Sequence, residues 1–94
     1  MITGDAARRN YHAAFLGHLL HRDEASLRTG YEIGRRAVVE GVSMLELAKI
    51  HHQVFRDVLA ETRPTELDDV AGAASEFFLE VLATYHMTHH RPSI

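Results

Sequence analysis

The stretch from Ser26 to His52, SLRTGYEIGRRAVVEGVSMLELAKIHH, decides the fold, because a complete helix boundary lies in its middle. Ser43-Met44-Leu45-Glu46 reads as a capping box: the Ser43 hydroxyl can accept from the amide three residues on, and the Glu46 carboxylate can reach back to the Ser43 amide. Val42 and Leu47 on either side supply a hydrophobic staple. Gly41, lacking a Cβ, can take the left-handed conformation that closes a helix. A helix, a very short turn and a second helix result, and so short a turn makes the two antiparallel.

Outward from this boundary the periodicity predicts four helices. The first runs from about Asp5 to Leu20, with Asp5 near its positive end and Tyr11, Phe15 and Leu19 one turn apart. The second starts near Asp23 or Glu24, places Leu27, Tyr31, Gly34 and Val38 on one face, and ends at Gly41. Helix three, capped by Ser43, aligns Leu47, Ile50, Val54 and Val58, with Phe55 and Leu59 widening the stripe, until Pro64 stops it. Arg56 and Arg63 fall in its second half, where positive charge suits the helix dipole. Thr65 is placed to cap helix four, whose first turn carries Glu66, Asp68 and Asp69. Its apolar stripe is Leu67, Val70, Ala74, Phe78, Val81 and Tyr85, and it frays towards Pro92. No strand-like alternation appears. The chain therefore reads as one all-α domain over residues 1–94, an antiparallel four-helix bundle.

Gly30 and Gly34 stand one turn apart inside the second helix, where each costs ~1 kcal/mol relative to alanine. A closely approaching neighbour helix is the expected compensation.

The composition narrows function. In 94 residues, 46% apolar and 24% charged, there is one core and no apolar run long enough to cross a bilayer. The absence of cysteine removes disulfides and thiolate metal sites and fits a reducing cytoplasm. A net charge of −3 argues against phosphate-driven nucleic-acid binding, and Arg8-Arg9 and Arg35-Arg36 are too isolated to form a basic stripe.

Eight histidines raise two chemical readings. His86, His89 and His90 share a helix face and could share an ion. However, no glutamate precedes a histidine by three, as the usual bundle metal motif requires. His51 and His52 are adjacent in helix three, so they face different ways: His51 is expected to hydrogen-bond in the core and His52 to point outward. A phosphotransfer histidine is the sharper alternative, but Gln53, Val54 and Phe55 put bulk where that family has a small residue and a lysine-glycine pair. No Ser-His-Asp order, carboxylate pair or phosphate loop is readable, and the chain is expected to be no enzyme and to need no cofactor.

Taken together, Asn10-Tyr11-His12, Glu24-Ala25-Ser26-Leu27, Ile50-His51 and Glu80-Val81-Leu82 with Tyr85 and Met87 resemble the N-terminal domain of RsbU-type serine phosphatases. The segments YEIGRRAVVEG (31–41) and LATYHMTH (82–89) are similar to variants of that domain, and the resemblance spans about Asn10 to His90. It implies a helical, homodimeric, cytoplasmic, non-catalytic module of bacterial stress signalling. Such a module captures a serine kinase of the histidine-kinase-like ATPase type and thereby switches on an attached phosphatase that frees a sigma factor. The partner surface it implies, at the start of helix two and late in helix four, offers Glu24, Leu27, Arg28, Glu76, Leu79 and Ala83, with Leu79 as the anchor.

Overall fold

A computed structural model describes residues 2–89, with side chains from residue 6 onward. Four α-helices follow one another: α1 (Ile2–His21), α2 (Glu24–Val39), α3 (Met44–Ala60) and α4 (Leu67–His89), the last preceded by a 3-10 turn over Pro64–Glu66. The fold is all-α and bundle-like, with no strand among the described residues. Helix α1 starts earlier than Asp5, and Arg63 lies beyond the end of α3. Pro64 opens the 3-10 turn, and Thr65 lies inside that turn rather than in the position directly before α4. Proline suits a first helical position because the missing N–H would be unpaired there anyway. The expected fraying towards Pro92 lies outside the described residues.

The predicted boundary forms where its residues require it. Gly41 has φ +77°. The Val42 amide donates to the Ala37 carbonyl at 2.8 Å and the Gly41 amide to the Val38 carbonyl at 3.2 Å, the paired closure of a Schellman motif. Ser43 Oγ accepts from the Glu46 amide at 3.0 Å, but no return bond from the Glu46 carboxylate forms, so only half of the expected box is made. The complete reciprocal box sits at the start of α2. There Asp23 Oδ1 accepts from the Ser26 amide at 2.9 Å, and Ser26 Oγ accepts from the Asp23 amide at 3.1 Å.

Helix directions follow from what touches what. A Cβ on Gly30 would lie 3.1 Å from Phe77 Cε1, and one on Gly34 would lie 3.0 Å from both Thr84 Cβ and the Tyr85 backbone nitrogen. Residue 30 thus meets 77 and residue 34 meets 84 and 85, so α2 and α4 run parallel. Helix α3 runs against α4, since the His51 ring stacks on Phe78 and the Tyr85 hydroxyl donates to the Val42 carbonyl at 2.9 Å. Alternating directions are those of an up-down-up-down bundle, in which α2 and α4 are the diagonal pair. Here the diagonal pair makes the most extensive contact in the molecule.

That contact corrects two core faces. Helix α2 buries Ser26, Gly30, Gly34 and Ala37, and Tyr31, expected inside, is 39% exposed. With the glycines turned onto α4, the next residue is rotated by the 100° of one helical step. In α4 it is Phe77 that is fully buried, while Phe78 is half-buried and Leu67 exposed. Phe77 fills the space the missing Gly30 side chain leaves and meets Tyr11 edge-on, with ring centroids 5.3 Å apart. Tyr11, Phe15, Leu47, Ile50 and Val54 are buried as the spacing predicts.

The two glycines differ in what a methyl group would strike. At Gly34 the obstacle includes α4 backbone, which cannot swing aside, whereas at Gly30 it is a ring edge. Overpacking costs ~1–3 kcal/mol, partly offset by the ~1 kcal/mol alanine gains in a helix. Gly34→Ala is expected to lose about 2 kcal/mol and to lower the melting temperature by roughly 10 °C. Gly30→Ala should change stability by less than half as much, as thermal denaturation followed by circular dichroism will show.

Candidate functional site

Helices α2 and α4 lie side by side, and the two segments of the expected partner surface fall at different levels along them, since residue 30 meets 77 and residue 34 meets 84 and 85. At 100° per residue, Leu27, Tyr31 and Val38 occupy one flank of α2, and Glu80, Ala83 and Met87 occupy the facing flank of α4. Leu27, Val38 and Glu80 are half-buried in the seam between them. Glu24 and Arg28 stand on the exposed crest of α2, and Leu79 stands on that of α4, 63% exposed. Leu79 therefore lies off the core. Tyr31 and Met87, 39% and 61% exposed, extend the apolar strip. Sequence periodicity misses Tyr31 here by assigning it to the core, although the glycines at 30 and 34 carry the signal that the face is rotated.

Glu76 is different from the other five. Its Oε2 accepts from Arg22 Nη2 at 3.1 Å, and its Oε1 accepts from Arg22 Nε at 3.2 Å and from His18 Nε2 at 3.0 Å. The arginine bonds first, and then the histidine bond, hold its carboxyl below the ordinary carboxylate value. Glu76 is thus tied inward to α1 and is not a free rim charge. His18 is fully buried. A carboxylate can only accept, so the imidazole proton is on Nε2, leaving Nδ1 facing Ser26 Oγ at 2.8 Å. This three-helix junction has no signal in the apolar pattern, because its central residue is polar.

His51 is paired as its place beside Ile50 predicts. The Tyr11 hydroxyl donates to its Nδ1 at 2.7 Å, and its faces stack on Phe78 at 4.0 Å and Phe55 at 5.8 Å. Burial raises the Tyr11 pKa, so the phenol keeps its proton and Nδ1 acts as acceptor. Burial, with a smaller repulsion from His52, lowers the His51 pKa to about 4. The ring is a packed, neutral structural group, and His52 points outward as expected. Among the described residues no three His, Cys, Asp or Glu are grouped as a metal would need, and His90 lies outside them. No helix among them is long and apolar enough to cross a membrane.

The family described as "Phosphoserine phosphatase RsbU, N-terminal domain" matches residues 9–88. No curated protein and no solved structure matches the chain.

A histidine whose folded pKa is depressed is neutral when folded and takes up a proton on unfolding, so the unfolded state binds more protons between about 4 and the ordinary 6.5. His51 stabilisation is complete above pH 6.5 and declines as pH falls towards 4. The lowered carboxyls of Glu76 and Asp23 add their own losses only below their ordinary 4.5 and 3.8. In urea titrations across pH, His51→Gln should flatten the decline between 6.5 and 4 and leave the steeper acid limb in place. An unchanged slope in that window would disprove the assignment.

Proposed function

The chain belongs to the family of RsbU N-terminal domains, the non-catalytic regulatory domain of a stress-signalling phosphatase, and we propose that it acts as a docking and dimerisation module. Its partner, on this reading, is a serine kinase of the histidine-kinase-like ATPase type, bound on the α2–α4 face to activate an associated serine phosphatase in sigma-factor control. The supporting observation is Leu79. It is a large apolar side chain, 63% exposed, with exposed Ala83 one turn on, and half-buried Leu27 with exposed Glu24 and Arg28 lower on the adjoining α2. An apolar centre with a charged rim is the usual anatomy of a signalling interface, in which a few anchors carry most of the energy.

Homodimerisation is supported by a separate feature. Between α1 and α2 lies an open groove of about 910 Å³, walled by Ala13, Gly17 and Ile33 and floored by Leu47 and Ile50. The groove lies on the side of α2 away from the docking flank, so a second copy seated there leaves the kinase face free. On this reading the dimer and the kinase use different faces of α2.

Leu79→Asp tests the docking face. It should weaken kinase binding by ~2 kcal/mol or more in calorimetric titration, through loss of a buried anchor, while circular dichroism remains that of the wild type. Normal binding by the variant would place the partner elsewhere. Sedimentation of the wild type should give a dimer at tens of micromolar, with a melting temperature that rises with concentration; a concentration-independent monomer would remove the dimer.

A further inference from the structure

Arg22 ends α1 with φ +48°, and it is the only non-glycine residue with positive φ among those described. Its amide donates to the His18 carbonyl at 2.8 Å, which is the left-handed closure that usually employs glycine. Glycine would hold that backbone with less strain, but it would carry no guanidinium. The arginine side chain grips both oxygens of Glu76 and also reaches the Asp69 carbonyl at 3.5 Å.

The same Glu76 oxygen accepts from His18, whose side chain is 1% exposed. Beyond the ring, Ser26 Oγ lies 2.8 Å from His18 Nδ1 and belongs to the reciprocal cap that starts α2, accepting from the Asp23 amide at 3.1 Å. One surface carboxylate on α4 thus terminates a polar chain that runs through a buried ring to the first turn of α2. The Arg22–Glu76 pair alone is exposed and weak. Removing the carboxylate, however, strands a buried N–H on His18, and a stranded buried donor is costly. A side chain of similar size without an acceptor would keep water from a ring only 1% exposed, so the N–H would be satisfied only by moving the α1–α2 corner away from α4.

We propose that Arg22, His18 and Glu76 form a latch that holds the α1–α2 corner shut against α4, so that release of Glu76 opens the corner as a local unit. Opening displaces Glu24, Leu27 and Arg28 relative to Leu79 and Ala83. The latch therefore regulates the docking face; only this consequence rests on the docking reading, and the latch itself does not.

Amide hydrogen exchange on the whole chain without any partner tests it, so failure of the latch and failure of the docking reading are separable. Glu76→Leu, which keeps the side chain's size but has no acceptor, should speed exchange of the Ser26 and Leu27 amides at least tenfold while the amides around Val54 and Val81 keep wild-type rates. Arg22→Gly leaves the His18–Glu76 bond in place and should speed exchange at the corner less than Glu76→Leu does; an equal or larger acceleration would place the hold in the surface ion pair and overturn the role given to His18. The exchange Arg22→Glu with Glu76→Arg restores the surface pair but leaves His18 without an acceptor, and the corner should stay open. Wild-type rates in Glu76→Leu, uniform acceleration across all four helices, or rescue by the charge exchange would each overturn the proposal.

Discussion

The close approach of α2 to α4 at Gly30 and Gly34 is the contact on which the rest of the architecture depends. Four helices around a common centre normally keep the diagonal pair apart with side chains. Here two residues without side chains let the Phe77 ring and the Thr84–Tyr85 backbone come against α2 directly. Phe77 then occupies the centre, with Tyr11, Phe15 and His18 packed around its ring. The molecule is correspondingly flat, 18 Å in its shortest extent, about two helix-packing distances. With α2 drawn onto α4, α1 no longer seals against the length of α2, and the open groove lies between them.

The same approach sets the relative positions of the residues proposed for docking. Two parallel helices in contact present one seam, along which the start of α2 lies below the level of Leu79 and Ala83, because residue 30 meets 77 and residue 34 meets 84 and 85. Polar groups beneath the face are all engaged: among the described residues no buried side-chain nitrogen or oxygen lacks a partner.

Helix number, the Gly41–Ser43 boundary and most of the α1 and α3 stripes were legible in the sequence, because each rests on local rules: a cap, a left-handed position, a spacing of three or four. The α2 and α4 faces were not. A stripe of Leu27, Tyr31, Gly34 and Val38 is as regular as the true buried set of Ser26, Gly30, Gly34 and Ala37, and hydropathy favours the wrong one. Only the cost of two helical glycines pointed towards the right face, and it identified no partner helix. Phe77 and Phe78 are chemically identical neighbours, so the residue opposite Gly30 could not be told from sequence. The six proposed partner residues followed from family resemblance, whereas the inward commitment of Glu76 depended on the αL arginine at 22, which no pattern announces.

The parallel glycine contact can be observed directly by nuclear Overhauser spectroscopy of the labelled chain in solution. The account predicts cross-peaks from the Gly34 Hα protons to the Thr84 side chain and the Tyr85 amide, and from the Gly30 Hα protons to the Phe77 ring. Gly34 protons that instead report on α3 side chains, or show no contact with α4, would contradict it.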